Sequence, residues 1–321
     1  MNLLGHNFSI ETDETAFVHH RKKMIQLDWE KQPDSVSLFV QLSVSGIEAQ
    51  VEELKQFLNS LNIRVSENKY EKEDFIILIG TDGFNLQVSQ HFQNFETPPI
   101  ISFTPTKKGF ISFIELLSYK TLIPQILRGN CWIMPRCRLY VEYHSFKGLQ
   151  KFLVLNDIVV SRSHESCALV IDCISCGFPF SQLIGDGLIV STPTGSTAYN
   201  KGAGGALLHP LLPVFLLTPI NALSLSARPI LFPQSADLTI SLEETSKEDS
   251  DQAQCAYLSF DGISHSEFKV GEKIVISISP YSFNSIMMSK SIAEWPIRLA
   301  GLMGWNERKR QKALPKENET K

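Results

Sequence analysis

No stretch of this 321-residue sequence is apolar for the roughly 20 residues that cross a bilayer as a helix. The opening residues, MNLLGHNFSIETDETAFVHHRKK, also lack the long apolar run behind a basic leader that marks a secretory signal. No membrane partner is expected, and the expected location is the cytoplasm. An excess of one charge sign is missing as well. Thirty Lys and Arg stand against 34 Asp and Glu, a formal net charge of -4, so no global basic field exists to hold a nucleic-acid backbone. Cysteine is scarce: six residues cannot build a disulfide scaffold for so long a chain. Cys173 and Cys176 form a CxxC pair, but no second pair follows at zinc-finger spacing, and the surrounding ALVIDCISC reads as a strand. No metal site built from the protein's own ligands is expected.

What is present is an ordinary globular balance, 43% hydrophobic and 20% charged, enough to bury sizeable cores in one large or two medium domains. Residues 1–34 show no sustained period and read as an N-terminal extension. Then SVSLFVQLSV reads as a strand, Gly46 as a turn, and IEAQVEELKQFLNSL as a helix, with Ile47, Val51, Leu54, Leu58 and Leu61 at helical spacing. The run FIILI at 75–79 suits a strand covered on both faces, so residues 35–130 are expected to form a parallel α/β domain. From 131 to 290 the pattern becomes many short strands, among them RLYVEYHS, KFLVLNDIVVSR, GLIVST, ADLTISL and KIVISISP, and a β-rich domain is expected. The stretch GSTAYNKGAGGALLHP, with four glycines, suits a turn leading into a helix. Residues 291–305 are expected to form a helical segment returning to the first domain, and the charged 306–321 a disordered tail.

Two places carry chemistry. In IGTDGFNL at 79–86, Gly80 and Gly83 let backbone amides approach a phosphate chain, and Asp82 could accept a hydroxyl proton or hold a cation. The blander reading of the same residues is a strand-ending turn with Asp82 capping a helix. In GDGLIVSTPTGSTAYNKGAGGALLHP at 185–210, Asp186, Ser191, Thr192, Thr194, Ser196 and Thr197 crowd around Pro193 and Gly195. Small hydroxyls beside glycines suit ribose and phosphate, and Tyr199 could stack on a base.

The segment STPTGSTAYNKGAGGALLHP, with LTPINALSLSARPILFP at 217–233, is similar to the long signature of the NAD kinase family. That family's other elements appear here in order as GTDG at 80–83, GFI at 109–111, Asn156-Asp157 within LVLNDIVVSR, and SFDG at 259–262. The resemblance implies an α/β N-terminal domain and a β-sandwich C-terminal domain with the active site in the cleft between them. It implies phosphorylation of the adenosine ribose 2′-hydroxyl of NAD by ATP, with Mg2+ or another divalent cation. By the same resemblance Asp82 is the candidate catalytic base, and Gly80, Thr81, Asp82 and Gly83 are the ATP phosphate loop. Asn156, Asp157, Asp186, Thr194, Thr197, Ala198 and Tyr199, extended by Asn200, Lys201 and Gly202, would line the NAD site together with Asp82 and Gly83. The resemblance places Asp261 near the adenosine end, in its own or a neighbouring subunit's site, because such enzymes assemble as homodimers or homotetramers.

Two departures stand out. The usual GGDG-Thr is GTDG-Phe here, so Thr81 replaces a glycine and Phe84 a hydroxyl. If that glycine needs a positive φ, Thr81 distorts the phosphate cradle. The element GFI follows TPTKK, in which Lys107 and Lys108 read first as a solvated basic turn. His209, Trp132, Trp295 and Trp305 read as packing residues. Two rivals stay open: a lipid kinase of the diacylglycerol and sphingosine type, which shares a GGDG-type loop, and a catalytically impaired NAD-binding sensor or regulatory protein.

Overall fold

The computed structural model describes residues 23–69, 73–105, 108–163, 168–243 and 255–307. The first 22 residues of the expected extension, Lys107, and residues 308–321 of the expected tail lie outside them. The first half carries β1 (Ile25–Gln26), β2 (Ser35–Val40), α1 (Glu48–Ser60), β3 (Arg64–Glu67), β4 (Phe75–Ile79) and α2 (Asp82–Ser89). It continues through β5 (Ile100–Thr104), β6 (Ile114–Glu115), α3 (Tyr119–Leu127) and β7 (Trp132–Arg136). The helix α1 buries Val51, Leu54 and Leu58 of the apolar stripe against the sheet. All five residues of β4 are buried, as a parallel strand covered by helices requires.

The second half carries β8 (Leu139–Ser145), β9 (Gly148–Val154), β10 (Asp157–Arg162), β11 (Leu169–Ser175), β12 (Phe178–Gly185) and β13 (Gly187–Ser191). After one helical turn, α4 (Tyr199–Gly202), come β14 (Val214–Ile220), β15 (Ile230–Pro233), β16 (Leu238–Leu242) and β17 (Cys255–Phe260). The chain ends through β18 (Ile263–Lys269), β19 (Lys273–Ile278), β20 (Phe283–Met287) and α5 (Glu294–Met303). Two antiparallel sheets, ordered β15-β14-β13-β10-β17-β18 and β12-β11-β16-β19-β8-β9, bury alternating residues of both between them. The architecture is thus an α/β domain followed by a β-sandwich.

The boundaries differ from the expected 130/131 and 290. The first sheet runs β1-β7-β20-β5-β4-β2-β3, so it takes in 132–136 and 283–287 from the stretch expected to be all sandwich, and 25–26 from the expected extension. Strand patterning reveals that a segment is extended but not which edge it will join, and β20 pairs parallel to β5 and antiparallel to β7 across large sequence distances. The expected helix after GSTAY is also shorter. Gly204, at φ +82°, leaves the helical region after the single turn of α4.

The chain crosses between domains at 136–138, where both arginines are buried. Arg138 donates from Nε to the Tyr281 carbonyl (2.9 Å), from Nη1 to that of Phe92 (2.6 Å) and from Nη2 to that of Phe95 (2.7 Å). Burial pulls its pKa down to about 10, with Glu96 and Asp261 acting the other way. Truncation of Arg138 to Ala would strand three carbonyls at this junction, and a loss of about 3 kcal/mol or more in denaturant unfolding is expected.

Candidate active site at the domain cleft

Directly after β4, Gly80 sits where a Cβ would meet the Phe84 ring at 2.7 Å and the Gln41 Oε1 at 2.8 Å. Thr81 follows with φ -89° and ψ 173°, an extended conformation that suits a β-branched side chain. The feared distortion of the loop is therefore absent. Thr81 is instead pinned, since its N–H (2.9 Å) and its hydroxyl (3.1 Å) both donate to Oε1 of Gln41. Phe84, in place of the expected hydroxyl, packs against the core formed by Phe39, Ile76 and Leu78. Gly83 sits in the first turn of α2, where a Cβ would meet only the Thr81 hydroxyl oxygen, at 3.8 Å.

Asp82 opens α2 and reaches across to the turn at 109–112. Its Oδ2 accepts from the Phe110 amide (2.7 Å), and its Oδ1 accepts from the amides of Ile111 (3.0 Å) and Ser112 (2.8 Å). The carboxylate lies flush on Gly109, where a Cβ would overlap it. GFI thus serves as an amide cradle for Asp82. On the far side of the same turn the Phe110 carbonyl accepts from Arg298 Nη1 (3.1 Å) and Arg136 Nη2 (3.5 Å). Arg136 also donates from Nη1 to the Thr194 hydroxyl (3.4 Å) and from Nε to Ser285 (2.9 Å). Asp82 of the first domain and Thr194 of the second are so brought to one cleft. Burial, and then the neighbouring Arg298, depress the Arg136 pKa to about 10, while Asp82 opposes the shift.

Thr194 belongs to a tight junction with the loop before β10. The Thr192 amide donates to the Asn156 carbonyl (2.9 Å), and the Thr192 hydroxyl donates to that of Leu155 (2.6 Å). Gly195 lies against the Asn156 backbone so closely that a Cβ would overlap its carbonyl carbon at 2.5 Å. From the other side, Asp261 Oδ2 accepts from the Leu155 amide (2.9 Å) and Oδ1 from that of Asn156 (2.6 Å). Asp261 itself sits at φ +52° in the β17–β18 turn. Its carboxylate therefore faces inward to hold the Asn156-Asp157 loop, which is a supporting place in its own chain. Asn156 Oδ1 is buried with no hydrogen-bond partner, as a group reserved for a ligand would be.

The other expected residues divide. Thr197 is half-buried beside Thr194, to whose carbonyl its hydroxyl donates (3.3 Å). Ala198, Tyr199, Lys201 and Gly202 are exposed on the rim, Tyr199 at 50%. Asn200 is fully buried: its Nδ2 donates to the carbonyls of Ser196 (3.1 Å) and Ala206 (3.0 Å), and its Oδ1 accepts from the Thr218 hydroxyl (2.6 Å). It is a structural pin and not a ligand group. Asp186 is not brought to the cluster either. It lies at the opposite end of β13 from Ser191, roughly 15 Å away at strand rise, ion-paired to Arg162 Nε (2.8 Å) and accepting from Asn221 Nδ2 (2.9 Å). Lys108 makes an exposed ion pair with Glu115 (2.9 Å), and His209 accepts at Nδ1 from the Leu211 amide (3.2 Å). Arg136, Arg298 and Gln41 were not singled out by sequence. The signal for Arg136 was a charge inside the apolar run CWIMPRCRL.

The cluster carries unfavourable charge. Asp157, 4% exposed, is pushed up to about 7 by burial and then by Asp261, which burial raises to about 6. A carboxyl with a raised native pKa binds its proton more tightly folded than unfolded, so its contribution is fully present below about pH 4 and is lost as pH rises through about 7. The change Asp157→Asn should therefore stabilise the ligand-free protein, with a melting-temperature gain larger at about pH 8 than at about pH 5; an equal gain at both would contradict the buried charge.

Comparison with known proteins follows the same division of the chain. Residues 14–131 match the model for the ATP-NAD kinase N-terminal domain, and residues 155–288 that for the ATP-NAD kinase C-terminal domain. A probable chloroplastic NAD kinase 2 of Oryza sativa subsp. japonica is 31% identical over 319 residues, 97% of this chain and 30% of that one. The ATP-NADH kinase YEF1 of Saccharomyces cerevisiae is 32% identical over 257 residues, 74% of this chain and 50% of that one. The chain thus spans about a third of the plant relative. Among solved structures, the yeast NADH kinase complexed with NADH superposes with a TM-score of 0.81 at 21% identity, covering 90% of this chain and 92% of that one. An NAD kinase from Archaeoglobus fulgidus in complex with ATP gives 0.65 at 19%, covering 84% and 97%. Two matched domains in sequence order, on the fold they require, make this chain a member of the NAD kinase family.

Proposed function

We propose that this chain transfers the γ-phosphoryl group of ATP to the adenosine ribose 2′-hydroxyl of NAD, yielding NADP and ADP. The observation that carries this reading is the run of contacts from Asp82 through Phe110 and Arg136 to Thr194, which links the loop proposed to take the triphosphate with the wall proposed to take the ribose. Asn156, whose Oδ1 is buried and unpartnered, and Asp157 beside it would receive the NAD hydroxyls and amide. Thr194, Thr197, Ala198 and Tyr199 would complete the dinucleotide wall; of the loop amides those of Asp82 and Gly83, at the start of α2, would face the triphosphate, because the Gly80 amide donates to the Phe103 carbonyl (2.9 Å) and that of Thr81 to Gln41.

A ribose hydroxyl is a poor nucleophile, and phosphoryl transfer is accelerated mostly by positioning and charge compensation. An ionised carboxylate has about four lone-pair sites. Three of those on Asp82 are taken by the amides of 110–112, which fixes its direction and leaves one on Oδ2 for the substrate hydroxyl. A base so held contributes on the order of 10² to 10⁴ in rate by accepting the proton late. A divalent cation fits this site only as a companion of the donor. Among the described residues no three His, Cys, Asp or Glu side chains converge, so its ligands would come chiefly from the triphosphate. The ion would neutralise phosphate charge there.

Self-association would complete the picture. Leu223 (70% exposed) and Leu225 (89%) project from the loop after β14, beside Ile184 (41%), whose carbonyl accepts from the Leu223 amide (2.9 Å). Asp186 lies beside this patch and away from its own cluster, so a homodimer through it would offer Asp186 to a second copy. The charge-introducing change Leu225→Asp should shift the protein to monomer in sedimentation; an unchanged mass would remove this face from the assembly.

A second reading, a non-catalytic NAD binder, draws on the same three amides, which occupy most of Asp82. The two part on one assay, NADP formation from NAD, ATP and Mg2+ by the protein and its Asp82→Asn variant. The kinase reading expects product from the first, at least about 10²-fold less from the second, and NAD binding in both. The variant turns an amide donor toward another donor, so it should also lose about 1–2 kcal/mol of stability while staying folded. NAD binding without product from the unaltered protein would leave the binder.

A further inference from the structure

We propose that Arg298 is a positioning residue: from the C-terminal helix it holds the Phe110 carbonyl, and through that peptide the amides that fix the Asp82 carboxylate. The inference rests on the kinase reading for its catalytic consequence. Its geometry lies in one peptide unit. The carbonyl of Phe110 and the N–H of Ile111 belong to the same planar trans amide and so point in opposite directions. The carbonyl accepts from Arg298 Nη1 at 3.1 Å, and the N–H donates to Asp82 Oδ1 at 3.0 Å. Turning that peptide would break both contacts and aim an N–H at two guanidinium groups. A cation on the carbonyl also polarises the amide and strengthens its donation on the other side.

Arg298 is well placed to be rigid. Its guanidinium carbon lies 3.2 Å from the centre of the Phe113 ring, one residue past the cradle, and its Nη2 is 3.8 Å from Glu294 Oε2 one turn back on α5. The side chain is 13% exposed. Arg136 reaches the same carbonyl only at 3.5 Å and is committed to Ser285 and Thr194, so the shorter hold on the turn comes from α5. Within α5 only Leu299 is buried, while Ile297 is 70% exposed. Polar and ring contacts therefore seat the helix: Arg298 on the Phe110–Phe113 turn of the first domain, and Trp295 edge-on to His209 of the second at 5.4 Å. A helix touching both sides of the cleft in this way couples its own seating to the orientation of Asp82.

The test compares the full chain with Arg298→Ala in three measurements. Turnover with NAD, ATP and Mg2+ should fall on the order of 10- to 100-fold, and free guanidinium ion should restore part of it. Calorimetric NAD affinity should stay as in the unaltered protein. Hydrogen exchange of the 110–112 amides should accelerate, whether or not the protein turns over. Unchanged exchange, or a turnover loss matched by lost NAD affinity and not rescued by guanidinium, would overturn the proposal. Should the unaltered protein form no NADP, the kinase reading fails while the exchange comparison still decides whether Arg298 holds the cradle. If Arg298→Ala does not fold, Arg298→Lys, which keeps the charge but loses the planar fork, is put to the same measurements and the same outcomes decide.

Discussion

A buried guanidinium has to find acceptors wherever the chain places it, and here two of them lie at the single crossing from the first domain to the second. Stranding such a charge costs several kcal/mol even after relaxation. Arg138 therefore ties the start of β8 to the carbonyls of 92, 95 and 281, and Arg136 ties the end of β7 to 110, 194 and 285. Neither has a carboxylate within ion-pair distance among the described contacts, so backbone and hydroxyl oxygens carry the load. Through these contacts the two side chains fix the segment that joins the domains.

Much of this was legible in the sequence and some of it could not have been. The stripe of α1, the buried strand FIILI, the GTDG loop and the STPTGSTAY run are local patterns, and local patterns fix local structure. The partner of GTDG was visible as a second element of the family pattern, GFI, yet only the structure shows that the amides of Phe110 and Ile111, with that of Ser112, grip Asp82. The worry over Thr81 failed for a physical reason: the position is extended, and Gln41 supplies an acceptor that no motif announces. Asn200 stood in the signature like a ligand residue but is consumed by its own fold. Asp186 precedes the strand whose far end reaches the cluster, so the length of β13 separates it from Thr194. Sequence adjacency within a motif and adjacency in a site are different properties.

The site also shows where stability has been given up. Asp157 and Asp261 hold two carboxyls in a buried pocket, with no cation ion-paired to Asp157 among the described residues, and Asn156 keeps an oxygen unsatisfied beside them. A core assembled for stability alone would not contain this arrangement. Around it, the packing is unusually exacting: Gly195 on the Asn156 backbone, Thr192 across Leu155, and Asp261 beneath both amides. Rigidity nearby is what allows unsatisfied groups to persist until a ligand meets them.

One consequence of the sheet order concerns synthesis. The strand β20 stands between β5 and β7 in the first sheet, although it comes from residues 283–287. During synthesis the first sheet cannot be completed from residues 25–136 alone: part of the β5 edge takes β6, and the place of β20 stays open until residues 283–287 are made. The sandwich, by contrast, is contiguous from 139 to 278 and needs nothing made later. Between these two domains vectorial folding thus runs in an unusual sense: the sandwich can be finished before the α/β domain that precedes it, which is sealed by β20, the strand that also delivers α5 to the cleft. Any pause or truncation before residue 283 would leave an exposed parallel edge rather than a small folded domain.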